Sequence, residues 1–368
     1  MRMETVIFVL MLCACAAGFV LFRRNTVPVC RLGPIEPSKL SIIIPARNEE
    51  RNLKHLLHSL ELQTYTPIEI IVVDDCSEDR TREIAEKFGV RVITNTEPPE
   101  GWTGKNWAVW NGYQEATGDL IAFLDADVRL YPHALKSLLA AREQTGGVIS
   151  VVPYHEAVRF YERLAFIPNL LGLYAFTSPF ERSNPNKGLY GSCIVTTRVD
   201  YELARGHESI KGELLDDLNL GAQFMRAGIP VTNYIGYGMV SFRMYPGGIR
   251  SEIEGFSKGA VLSTSKLSGW TTSLVAVWLV GLLAAEAAPF VLGMSWALPI
   301  AAGYLAYTIQ LYSFLHYTGR FGYWLPFVHV LSSVFFLYIM LYSVYQIVFH
   351  GQVAWKGRQV KVGGRGRR

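Results

Sequence analysis

The sequence predicts an α/β domain built on a mostly parallel sheet, with an apolar anchor before it and apolar helices after it. Three observations carry this. Short apolar runs alternate with helix-patterned segments between residues 40 and 152. Residues 5–22 form an uncharged apolar run closed by Arg23 and Arg24. From Trp270 to Phe349 only Glu286 and Arg320 are charged, in a chain of 368 residues of which 50% are hydrophobic. Both apolar blocks reach the roughly 20 residues that cross a hydrocarbon core.

The first run carries Ala14, Ala16 and Ala17, which would suit a cleaved signal peptide. It is long for that purpose, and Arg23-Arg24 make a better cytoplasmic stop. The expected organisation is a transmembrane anchor at 1–24 and a Pro-containing linker at 25–38. A soluble domain at 39–265 follows, on the cytoplasmic side. Transmembrane helices fill 266–350, and 351–368 form a basic cytoplasmic tail.

Within the domain, residues 40–44 are an apolar strand closed by Pro45. Leu53, Leu56, Leu57 and Leu60 repeat on one helical face. Residues 68–73 make the second strand, and Ser77 can cap a helix to about Phe88. Strands at 90–94, 120–124 and 148–152 alternate with helices at 105–116 and 132–144. Residues 160–176 suit a core helix or an interfacial one, broken by Pro168 and Gly172. A short strand is expected at 192–196 and a helix around 213–226.

The last block divides into helices near 270–293, 296–317 and 324–349. Three crossings after a cytoplasmic domain would put the basic tail outside, against the positive-inside rule. Pro289, Gly293 and Pro299 favour a broken or re-entrant stretch instead, which keeps the tail in the cytoplasm. The chain is thus expected to be a multi-pass protein of the cell membrane. Five scattered cysteines imply neither a metal cage nor a disulfide framework. A net charge of +4, gathered in the tail, points to a bilayer surface and not to nucleic acid.

In an open parallel sheet, ligands bind beyond the carboxyl ends of the strands. Pro45, Asp74-Asp75 and Asp125-Ala126-Asp127 all fall at such ends. Carboxylates at Asp125 and Asp127 suit a hard divalent cation held together with phosphates. Asp74 or Asp75 can accept from a base imide or a ribose hydroxyl, and both also suit a turn before a helix. Glu49 suits binding or a helix start equally. Lys105 opens a helix, where it and backbone N–H groups can meet phosphate, and it also suits a solvated surface position.

Residues 41–50 (Ser-Ile-Ile-Ile-Pro-Ala-Arg-Asn-Glu-Glu), 72–77 (Val-Val-Asp-Asp-Cys-Ser), 119–127 and the acidic pair in 213–220 occur in a telling order. As a set they resemble the inverting glycosyltransferases of family 2, with the GT-A fold. The resemblance covers about residues 38–260. It implies that Pro45, Ala46, Asn48, Glu49, Asp74 and Asp75 hold the nucleoside of a UDP-sugar, with Asp125 toward its diphosphate. It implies that Asp125 and Asp127 hold Mg2+ or Mn2+, and that Asp217 is the catalytic base beside Asp216.

Polymer-building members carry Gln-x-x-Arg-Trp, whereas residues 252–256 read Glu-Ile-Glu-Gly-Phe. Transfer of a single sugar is therefore expected. Arg243, Tyr245, Phe256 and Lys258 are acceptor-side candidates, and Trp355 and Arg358 mark a tail motif. This tail, with the anchor and residues 242–245, looks like that of bacterial enzymes that glucosylate a carotenoid carboxylate such as 4,4'-diaponeurosporenoate. Members acting on ceramide and hopanoids have similar tails. Hopanoid, sphingoid, diacylglycerol and polyprenyl-phosphate acceptors are the alternatives, and a non-catalytic membrane scaffold with the same fold is an alternative of another class.

Overall fold

A computed structural model describes residues 3–30, 38–213, 215–260, 266–291, 297–350, 352–355 and 358–361. The chain divides into two units, one of residues 1–24, 155–181 and 244–368, the other of residues 25–154 and 182–243.

The chain opens with α1 (Met3–Leu21) in the first unit. The second unit then runs through β1 (Leu40–Ala46), α2 (Leu53–Glu61), β2 (Ile68–Asp74), α3 (Thr81–Lys87) and β3 (Arg91–Thr94). It continues with α4 (Gly104–Glu115), β4 (Leu120–Leu124), β5 (Val128–Leu130), α5 (Ala134–Thr145) and β6 (Val148–Val152). After β7 (Tyr154–His155), α6 (Phe160–Arg163) and α7 (Phe166–Thr177) belong to the first unit. The second unit closes with β8 (Cys193–Thr197), α8 (Arg198–Leu203), α9 (Asp216–Arg226), β9 (Val231–Ile235) and β10 (Val240–Phe242).

Seven strands make its main sheet, in the order β3-β2-β1-β4-β8-β6-β9. The pairs β1–β2, β1–β4, β2–β3 and β6–β9 are parallel, while β8 runs antiparallel to both β4 and β6. The sheet is thus mixed but mostly parallel. Alternation of side chains sorts its core onto two faces. Ile42, Ile44, Val72, Ala122 and Leu124 pack with Leu53, Leu56 and Leu57 of α2 and Leu135 and Leu138 of α5. Ile43, Ile71, Val73, Ile121 and Phe123 pack with Ala108 and Val109 of α4 and Leu220 and Phe224 of α9.

Strands β5, β9 and β10 had no clear pattern, because they are short and the last two flank Gly236 and Gly238. Residues 25 and 26 attach to this edge: Asn25 Nδ2 donates to Asn233 O at 2.8 Å, Ile235 N donates to Asn25 O at 2.8 Å, and Thr26 bridges to Ile235.

The first unit contains α1, α6, α7, α10 (Ile249–Ala260), α11 (Gly269–Val291), α12 (Ala297–Thr318) and α13 (Val330–Tyr345). It ends in a hairpin of β11 (Gln352–Trp355) and β12 (Arg358–Lys361). The stretch expected as one helix from 324 is divided. A 3-10 turn spans Leu325–Val328, and α13 starts only after His329. Pro326, which lacks an N–H, sits in that turn. Gly293 of the expected re-entrant stretch lies outside the described residues.

Among the described residues, Gly269–Ala287 is the one helical stretch long and apolar enough to cross a membrane; Thr5–Leu21 and Val330–Tyr345 are apolar but shorter. Small residues let these helices approach closely. A Cβ on Gly281 of α11 would lie 2.4 Å from Ala14 Cβ of α1. Several polar groups inside are paired between helices: Gln310 Nε2 donates to Cys15 O at 2.6 Å, and Trp278 Nε1 donates to Gln310 Oε1 at 2.7 Å. Glu286 accepts from Ser333 Oγ at 2.8 Å and is bonded to His329.

Glu252 of α10 is an exception. Its side chain is buried, and neither carboxyl oxygen has a hydrogen-bond partner. Desolvation, and then the charge of Glu162, push its pKa from 4.5 up to about 8. The folded state then keeps a proton that the unfolded chain releases, so stability falls as pH rises from about 4.5 toward 8. Glu252→Gln, which cannot ionise, is expected to flatten this decline. At pH 8 it should be more stable than the parent by about 1–3 kcal/mol. Melting curves at several pH values check this; an equal slope in both proteins would refute it.

Candidate functional site

Because β1, β2 and β4 run parallel, their carboxyl ends share one edge of the second unit's sheet. The register sets Pro45 beside Val73 and Ala46 beside Asp74. Beyond Ala46 the chain turns through Asn48, whose φ of 54° lies in the left-handed region that asparagine tolerates. Asn48 N donates to Ser77 Oγ at 3.0 Å, and Asn48 Oδ1 accepts from Glu78 N at 2.8 Å. Glu49 N donates to Thr81 Oγ1 at 2.8 Å. The loops after β1 and β2 are thereby knitted together. The Glu49 carboxylate accepts from Asn52 Nδ2 at 2.8 Å, just ahead of α2.

Asp74 and Asp75 are both buried. Asp75 N donates to Ala46 O at 2.9 Å, and the Asp74 carboxylate accepts from Ser77 N at 3.2 Å. The Asp75 carboxylate accepts from Asn95 Nδ2 at 3.1 Å and faces Arg47 Nη1 at 3.8 Å. Arg47 and Asn95 had not been singled out. Asn95 follows the end of β3, so the rule that pointed to the other strand ends would have found it.

At the end of β4, Asp125 N donates to Ser192 O at 3.0 Å, and Val128 N closes a turn onto Asp125 O at 3.2 Å. This turn carries Asp127. Lys105, in the first turn of α4, places Nζ 3.2 Å from Asp125 Oδ1 and 3.4 Å from Asp216 Oδ2. One ammonium therefore joins two acidic positions far apart in sequence.

Thr103 caps α4, its hydroxyl accepting from Asn106 N at 3.3 Å. Asn106 Nδ2 in turn donates to the carbonyls of Ile210, Lys211 and Glu213 at 2.9, 3.2 and 3.3 Å. Thr103 N adds a bond to Lys211 O at 2.8 Å. The start of α4 thus clamps the segment leading into α9. Asn106 was missed because nothing local marks a side chain that acts on a loop about a hundred residues away.

Asp216 and Asp217 occupy the first turn of α9, where the helix dipole favours carboxylates. Asp217 lies against Gly191: a Cβ there would fall 1.9 Å from Asp217 Oδ2. Leu189 N donates to Asp217 O at 3.2 Å. The segment 189–192 therefore meets both Asp125 and Asp217.

Desolvation by itself would lower the Lys105 pKa, but the charges of Asp125, Asp216 and Asp217 outweigh it and hold the ammonium well above its ordinary value. Behind Asp216, burial pushes His207 down to about 4 against the pull of Asp216, and its Nδ1 lies 2.7 Å from Tyr201 Oη. His207 is therefore a neutral, buried support at neutral pH.

This donor set can hold a hard divalent cation. Among the described residues no group of three or more His, Cys, Asp or Glu side chains is arranged to hold a metal ion. Mg2+ and similar ions at phosphates need only one or two carboxylates, which Asp125 and Asp127 offer. Lys105 adds a cation suited to phosphate oxygens.

The acceptor-side candidates belong to both units. Arg243 follows β10 in the second unit. In the first unit the rings of Tyr245 and Phe256 meet edge to face, centroids 5.4 Å apart, and Tyr161 Oη donates to Tyr245 O at 2.9 Å. Trp355 pairs with Arg358 in the terminal hairpin register. The side chains of Lys258, Trp355 and Arg358 lie outside the described residues.

Comparison with known proteins gives a consistent result. The family description Glycosyl transferase family 2 matches residues 41–202. The chain is 32% identical over 375 residues to the 4,4'-diaponeurosporenoate glycosyltransferase of Staphylococcus aureus, strains Newman and COL, with 98% of each chain covered. Among solved structures it is similar to a mannosyltransferase from Pyrobaculum calidifontis in complex with GDP-Man and Mn2+. The TM-score is 0.57 at 16% identity, covering 94% of this chain and 99% of that one, a likeness of fold.

Proposed function

Because this chain belongs to glycosyltransferase family 2 and has a GT-A-like fold, we propose that it is a membrane-bound, inverting hexosyltransferase. It moves one glucose from UDP-glucose to an apolar lipid, a carotenoid carboxylate such as 4,4'-diaponeurosporenoate. The observation that carries the reading is the joining of Asp125 and Asp216 by Lys105 at the carboxyl ends of the strands. It brings one residue of the expected metal-diphosphate pair close to one of the expected acid pair, which supports the reading. The similarity to the staphylococcal enzyme along 98% of both chains supports the acceptor class.

In this reading, residues 45–49 with Asp74 and Asp75 hold the nucleoside. Asp125 and Asp127 hold Mg2+ or Mn2+, which would offset the charge building on the departing diphosphate. Lys105 meets the phosphates, and Asp217 lies on the side of the attacking oxygen, opposite the leaving group. Arg243, Tyr245 and Phe256 serve the acceptor. A lipid of this kind stays in the bilayer, so the catalytic unit works at the cytoplasmic surface. The apolar side chains of Val280, Leu298 and Leu341, exposed on α11, α12 and α13, suit contact with lipid.

Purified protein with UDP-glucose, Mn2+ and 4,4'-diaponeurosporenoate in micelles provides the test. The expected product is a hexosyl ester seen by mass spectrometry, with the anomeric configuration inverted by NMR. Transfer only to hydroxyl lipids in an extract would replace the acceptor. Neither transfer nor donor hydrolysis with any lipid, while UDP still binds, would favour a scaffold.

A further inference from the structure

The position of Lys105 has a consequence beyond phosphate binding. Its ammonium stands within 3.4 Å of both Asp125 Oδ1 and Asp216 Oδ2. A divalent cation on Asp125 needs an oxygen of the same carboxylate at about 2.0–2.1 Å for Mg2+. An ammonium and a divalent ion so close together repel each other. A diphosphate relieves the conflict, because its oxygens accept both the metal and the lysine.

We propose that Lys105 is a positioning residue that couples metal binding to the nucleotide diphosphate. It competes with the metal for Asp125 and releases that carboxylate when it swings to phosphate. The idea rests on the metal-diphosphate reading above. The side chain is 41% exposed, on the first turn of a capped helix, so one side of it is open to an incoming phosphate. Linkage requires the coupling to be mutual, so the metal also tightens UDP. The anchoring of α4 by Thr103 and Asn106 keeps the lysine backbone fixed, so that the exchange is a side-chain movement.

The test is Mn2+ binding to the full chain, read by the EPR signal of free Mn2+, without and with UDP and corrected for Mn2+ held by free UDP. Wild-type protein should bind Mn2+ on the order of 10-fold more tightly when UDP is present. Lys105→Met should bind Mn2+ alone several-fold more tightly than wild type, and the gain on adding UDP should shrink. Lys105→Gln should behave alike, while Lys105→Arg should keep weak Mn2+ binding. If both neutral variants bind Mn2+ no more tightly than wild type, the proposal is overturned. Asp127→Asn separates the two levels. Loss of Mn2+ binding in that variant keeps the metal reading whatever the lysine does, whereas unchanged Mn2+ binding removes the metal reading itself.

Discussion

Asp127→Asn is expected to reduce sugar transfer by at least about 10³-fold, with the melting temperature little changed. A metal at a departing diphosphate supplies several kcal/mol of charge stabilisation, and each 1.36 kcal/mol or so is tenfold in rate. Asparagine keeps the shape of the side chain but gives the ion a neutral ligand in place of an anionic one. Asp127 sits in the turn between β4 and β5, a place set by backbone bonds at Asp125 and Val128 that the substitution leaves alone. Transfer measured over a range of Mn2+ concentrations decides the matter. Activity above a tenth of the parent level, with an unchanged Mn2+ dependence, would sink the assignment.

The second large effect depends on the chemistry of the acceptor. With a hydroxyl acceptor, Asp217→Asn should cost about 10²–10⁴-fold, as for a lost general base. A carboxylic acid has a reference pKa near 4.3, so at neutral pH it attacks without giving up a proton. With such an acceptor the loss should be below about 10²-fold, and Asp127→Asn should remain the more severe change. Rates for both variants with one acid and one hydroxyl lipid make the comparison. Equal, large losses for Asp217→Asn with the two acceptors would show that Asp217 does more than take a proton. Gly191→Ala is a companion, since its methyl group would drive into the Asp217 carboxylate and displace it.

Much of the catalytic unit was legible because its signals are local. Strand β1 is apolar and α2 repeats leucines on one face, so period located both, although β1 runs on through Pro45 to Ala46 where an end at Pro45 was expected. The pairs at 74–75 and 125–127 could be picked out because ligands of such sheets bind beyond strand ends, and the pair at 216–217 through the family resemblance of residues 213–220. The antiparallel β8 could not be oriented in this way. A short apolar run reads alike in either direction, and only its partners β4 and β6 decide which is used. The helix expected from 324 failed at Pro326 for a related reason. The apolar run continues through that residue, so periodicity hid a break that backbone hydrogen bonding imposes.

The sequence by itself determined the alternation of strands and helices, the apolar character of the flanking helices and the identity of the acidic residues. Tertiary structure alone decided that Lys105 answers to Asp125 and Asp216 together, that Asn106 anchors the entry to α9, and that Gly191 makes room for Asp217. The physical reason is distance along the chain. Propensity and periodicity act over a few residues, whereas these contacts close loops of about 20 to more than 100 residues and are fixed only when the sheet has set the register of its strands.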